Sequence, residues 1–149
     1  MSAMIKHTFL LTEQSWIATG VYFDSADNPI PAAGESNIIH QPDKVIIESI
    51  IRIFGDAPQE IKNRYEVLPF SDDTPYVTQW ESFNSKLGKL KGQFVIIDDT
   101  IFSLYQSDET IYSGTEVLIK TSDNCYQNKG CLFKGPDKIS SWTFELKGK

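Results

Sequence analysis

The side chains able to do chemistry in this chain are few and scattered. There are two histidines, His7 and His40, two cysteines, Cys125 and Cys131, and two arginines, Arg52 and Arg64. His40 follows Asn37-Ile38-Ile39 and precedes Pro42-Asp43, so it has the choice of acting as a haem ligand or general base, or of sitting partly exposed at a hairpin end. The hairpin reading is the simpler one. Asp72-Asp73 and Asp98-Asp99 are paired acids in Ser-, Asp- and Thr-rich stretches. Neither pair has the ligand spacing of an EF-hand calcium loop, and turn formation accounts for both. No G-x-S-x-G elbow, Walker loop or G-x-G-x-x-G is present. Zinc would need ligands beyond Cys125 and Cys131, and neither histidine is near in sequence. The two thiols are left as reduced structural residues or as a disulfide across a short turn.

Arg52 is the most informative of the charged residues. It interrupts the run Ile50-Ile51-Arg52-Ile53-Phe54. If it points inward it meets an anionic ligand head; if outward it forms a cross-strand ladder with Glu48, Arg64 and Glu66. Around it, Tyr65, Trp80 and Tyr105 would make good walls for a pocket, or an ordinary aromatic core.

These residues lie on a chain patterned for β structure. It has 149 residues, 40% hydrophobic and 12% aromatic, which fits one folded domain over 1–149. From Trp16 onward the apolar period is two. Trp16, Ala18, Gly20 and Tyr22 share one face, and Ile17, Thr19, Val21 and Phe23 the other. Runs at 36–41, 44–54, 60–68, 76–83, 87–98, 101–106, 111–120 and 138–147 read as strands separated by turn residues, with alternation plain at 60–68 and 76–83 and a long β-branched run at 44–54. Pro29-Ile30-Pro31 argues against a central strand. Cys125 to Lys134 reads as a hairpin about Asn128-Lys129-Gly130. Ile5 to Gln14 reads as a short helix. Gly88, Gly92 and Gly114 suit bends in a curved sheet. About ten sequential strands with no long linker predict an all-β antiparallel up-and-down meander, closed to remove its edges.

The charge balance narrows the partners. The net charge is -6 and only two residues are arginine, which opposes binding to a phosphate backbone. No stretch reaches membrane-spanning length, and Phe9-Leu10-Leu11 is too short for a secretory core. The expected setting is the cytoplasm. No cofactor is predicted, and the oligomeric state is not legible.

A short N-terminal helical turn, Trp16 at the head of the first strand, and a meander after it resemble the calycins, the group of lipocalins and fatty-acid-binding proteins. Related barrels bind haem or tetrapyrroles. The resemblance implies a lipocalin-like barrel whose N-terminal segment caps one end, with the first-strand Trp packed beneath it. Gln14 stands where the lipocalin signature has Gly, and no Arg follows Arg64, so no functional residue carries over. The resulting expectation is a binder, rather than an enzyme, holding a small apolar or amphipathic molecule, with Arg52, Tyr65, Trp80 and Tyr105 as the ligand-binding residues. The alternatives are an isomerase or chromophore lyase on the same barrel, carried by His40, Glu48 and Arg52, and an interaction domain with a filled interior.

Overall fold

A computed structural model describes residues 7–149. Ten strands follow in order: β1 (Gln14–Phe23), β2 (Pro29–His40), β3 (Val45–Ile53), β4 (Gln59–Val67), β5 (Val77–Asn84), β6 (Gly88–Ile97), β7 (Thr100–Ser107), β8 (Tyr112–Ser122), β9 (Cys125–Lys134) and β10 (Asp137–Gly148). Each pairs antiparallel with its neighbour in sequence, and β1 also pairs with β10 from Trp16 opposite Gly148 to Phe23 opposite Ser141. The sheet is therefore a closed barrel. The alternation read from the sequence becomes an inside and an outside. Trp16 and Ala18 of β1, Thr78, Trp80 and Ser82 of β5, and Ser140, Phe144 and Leu146 of β10 are buried on the inner wall.

Three sequence expectations are corrected. There is no helix among the described residues before β1. Residues 7–13 form an irregular segment with one turn, closed by Leu11 N–H donating to Thr8 O at 3.1 Å; the start of the expected helix, at Ile5, lies outside the described residues. Its few polar residues give no capped helix, and the segment is held instead by side chains of the barrel.

Pro29 and Pro31 do lie in a strand, since β2 begins at Pro29, but this stretch pairs with β1 alone and the ladder to β3 starts at Ala32. The reason is positional. Phe54 N–H donates to Pro31 O at 2.9 Å, so the missing Pro31 N–H faces the point where β3 has already ended.

Finally, Cys125 to Lys134 is one strand and not a hairpin. Asn128 and Gly130 sit mid-strand, opposite Phe144 and Trp142 of β10. Cys125 and Cys131 are both free. Six residues of extended strand put about 20 Å between them, far beyond the reach of a disulfide.

The N-terminal segment closes one end of the barrel. The Tyr126 hydroxyl oxygen accepts the backbone N–H groups of Thr8 (2.7 Å) and Phe9 (3.0 Å). Phe9, Trp16 and Tyr126 then stack in a triangle with ring centroids 5.3–5.6 Å apart. Outside it, His40 Nε2 lies 3.0 Å from Leu10 O, and Glu13 accepts His40 N–H. His7 is fully buried beside Phe70, and neither ring nitrogen has a partner among the described residues. Burial, helped by the charge of Lys120, lowers its pKa to about 4.

Two tests address this cap. Tyr126→Phe removes the shared acceptor and strands two buried N–H groups; urea unfolding should show a loss of about 1–3 kcal/mol. His7 is neutral when folded, so the unfolded chain binds the extra proton between pH 6.5 and about 4. Stability is thus held above pH 6.5 and falls as pH drops towards 4. Relative to wild type, His7→Leu should be more stable at pH 4.5 than at pH 7 by about 2 kcal/mol; equal differences at the two pH values would refute the assignment.

Candidate functional site

The inner wall changes character along the barrel. Near the cap it is apolar, with Ile38, Ile47, Val67, Ile101, Leu118 and Leu146 all buried. Towards the middle it becomes polar and only partly buried, although its side chains point into a closed barrel. Ser49, Asn63, Tyr65, Tyr105, Glu116 and Trp142 all keep accessible surface. Inward side chains retain such surface only where the interior is not filled.

Glu116 is the chemical centre of this region. It lies on β8 opposite Ser103 of β7 and Gly130 of β9, which in turn faces Trp142 of β10. The absence of a side chain at Gly130 is what admits the Trp142 indole, because a Cβ there would run into Cζ2 and Cε2 of the ring. Lying over the glycine, Trp142 donates Nε1–H to Glu116 Oε2 at 3.1 Å. The side chain of Asn128 donates a second bond to the Glu116 carboxylate, and its Nδ2 also reaches Val117 O at 3.2 Å. The same device recurs nearby: a Cβ at Gly92 would come within 2.7 Å of the Trp80 ring, and one at Gly114 would strike the Tyr105 ring. Of the glycines read as bends in the sequence, Gly92 and Gly114 are thus seats for aromatic rings, whereas Gly88 has a φ of 81° and no neighbour that a Cβ would meet.

Desolvation pushes the Glu116 carboxyl up to about 7, against the two hydrogen bonds that favour its ionised form. Tyr65 and Tyr105 face it. Burial raises both phenols, and the Glu116 charge raises them further. Tyr65 and Trp80 stack edge-to-face at 4.9 Å, and Trp80 meets Phe94 and Tyr105 at 5.7 and 6.0 Å. The Tyr105 hydroxyl donates to Cys131 O at 3.3 Å. Among the described residues, Asn63 Oδ1, Ser82 Oγ and Trp80 Nε1 are buried without a hydrogen-bond partner.

Of the four residues singled out from the sequence, Tyr65, Trp80 and Tyr105 come together on this wall. Arg52 does not join them. It lies on the outer face, 3.4 Å from Glu60 and 3.9 Å from Glu35. Its neighbour in the ladder, Arg64, lies 2.9 Å from Glu66 and 4.0 Å from Glu48. The physical reason is parity: Ile51 and Ile53 take the inner face, and outside, two carboxylates offset the guanidinium charge at little cost in hydration. His40, Glu48 and Arg52 therefore do not form one cluster. Glu116 was missed because nothing in Tyr112-Ser113-Gly114-Thr115-Glu116-Val117 separates an inward glutamate from an outward one until register is known. The usable signal was Glu116 sharing strand parity with Gly114 and Leu118.

Two concavities are present. A groove of about 760 Å³ runs over the outer wall of β4 to β7, between Lys44, Glu66, Gln79, Lys91 and Leu104, and Trp80, Gly92 and Tyr105 also line it. A smaller one of about 240 Å³ sits at the capped end, lined by Leu10, His40, Val67 and Phe70. Among the described residues no helix is long and apolar enough to cross a membrane, and no His, Cys, Asp and Glu cluster suits a metal ion.

No protein-family model and no curated protein sequence matches this chain. In fold it is similar to the S-type phycobiliprotein lyase CPES from Guillardia theta, with a TM-score of 0.66 and 7% identity over 93% of this chain and 88% of that one. A hot-dog-fold protein of unknown function from Alicyclobacillus acidocaldarius overlays with a TM-score of only 0.29 at 10% identity, over 93% and 80% of the two chains. The first likeness and the closed ten-strand topology establish a calycin-like barrel.

The raised Glu116 carboxyl has a measurable consequence. The folded state holds its proton between pH 4.5 and about 7, where the unfolded chain has lost it. Stability therefore falls as pH rises through that window. Glu116→Gln keeps an acceptor for Trp142 without the charge. It should stabilise the protein at pH 8 by about 2 kcal/mol and hardly at all at pH 4.5, read by chemical denaturation at both pH values.

Proposed function

We propose that the barrel holds a small amphipathic molecule in its lumen, seated against Tyr65, Trp80 and Tyr105, with the Glu116 carboxyl as its polar anchor. The observation that carries this reading is the set of inward aromatic and polar side chains that stay partly accessible inside a closed barrel. An aromatic wall with a few convergent polar groups is the usual make-up of a small-molecule site. Arg52, on the outer face, takes no part. The likeness in fold to a phycobiliprotein lyase, with the resemblance to tetrapyrrole-binding barrels, makes tetrapyrroles the first ligands to try and lipids the second.

One observation favours a catalytic variant of the same reading. A carboxyl that titrates at about 7, beside two phenols, is suited to take up and return a proton on a bound ligand. In that case the isomerase or lyase alternative rests on Glu116, with Tyr65 and Tyr105 around it, rather than on His40, Glu48 and Arg52.

Native mass spectrometry of protein as purified, and after incubation with bilins, fatty alcohols and fatty amines, tests the binding reading. One retained or acquired molecule per chain is expected. Tyr65→Ala should weaken uptake about tenfold, as truncation of a central aromatic contact does elsewhere. Arg52→Ala should leave it unchanged. Uptake by no form of the protein, or uptake lost with Arg52, would overturn the reading.

A further inference from the structure

Given a ligand in the lumen, the composition of the wall says what its polar end must be. Barrels that take acids place a cation where the head group lies. Here the inward positions of the middle wall carry Ser36, Ser49, Asn63, Tyr65, Ser82 and Glu116 among their polar residues, and no Lys, Arg or His. Both arginines are on the outer face in ion pairs with glutamates. Lys120 and His7 belong to the capped end, where Lys120 acts on the buried imidazole. The one ionisable carboxyl in the middle of the barrel has both of its protein hydrogen bonds from neutral donors, Trp142 and Asn128.

We infer that Glu116 selects ligands that present to it a neutral or cationic group donating N–H or O–H hydrogen bonds, and that it excludes ligands whose only polar end is a carboxylate or phosphate. This rests on the lumen being the binding site. Exclusion follows from charge: an anionic head would meet an acidic group with no cation nearby, and like charges in a poorly solvated site are strongly unfavourable. A donor head gains a charge-assisted bond as Glu116 ionises. Glu116 is on this account a specificity-determining residue.

The experiment uses three probes that share a ring and differ in head group: 1-naphthylmethylamine, 1-naphthylmethanol and 1-naphthylacetate. Binding to the full chain is measured by calorimetry at pH 7.5. Wild type should prefer the amine over the acetate by at least about tenfold, with the alcohol between, as one charge-assisted hydrogen bond allows. Glu116→Gln should narrow the range to about threefold, and Glu116→Lys should invert it. Equal binding of amine and acetate by wild type would overturn the selection rule while leaving the lumen reading intact. Binding of no probe by any form, with well-formed barrels, would overturn both.

Discussion

Closure is the constraint on which everything else depends. Because β1 pairs with β10 as well as β2, the sheet has no edge, and every second residue is committed to an interior it cannot leave. A ten-strand closed sheet encloses more space than a smaller barrel. The chain fills that space unevenly: it packs one end with Phe9, Trp16, Tyr126 and aliphatic side chains and leaves the middle lined with hydroxyls, amides and one carboxyl.

This unevenness separates stability from chemistry. The capped end carries the well-packed aromatic triangle and the hydrogen bonds that bind the N-terminal segment to Tyr126. The middle tolerates unpartnered polar atoms and an acid held near neutrality. Those features cost stability, and the dense end offsets them. His7 and Glu116 give the two regions opposite responses to pH, since one loses stability towards acid and the other towards base.

Glycine and aromatic residues work as pairs in this barrel. Gly130 under Trp142, Gly92 under Trp80 and Gly114 under Tyr105 each exchange a side chain for a ring laid flat across the neighbouring strand. The rings stay in the wall instead of crossing the lumen. For Trp142 this placement also aims Nε1 at Glu116, so backbone space at one strand sets the hydrogen bonding of an acid on the next.

The alternation from Trp16 onward, the turn residues between runs and the acidic balance determine an antiparallel meander of about ten strands, because period two and turn chemistry are local properties. That Tyr65, Trp80 and Tyr105 come together on one face follows from the same alternation. Asn128-Lys129-Gly130 misled, because a turn-forming triplet looks the same when a cross-strand tryptophan requires the glycine. Pro31 misled because the end of β3 is not visible from β2. Arg52 and Glu116 are the decisive pair: both are charged residues in apolar strands, and local sequence does not tell which faces in. Only register across the closed sheet sends Arg52 out to Glu60 and Glu35 and Glu116 in beneath Trp142, since a shift of one residue would exchange their faces.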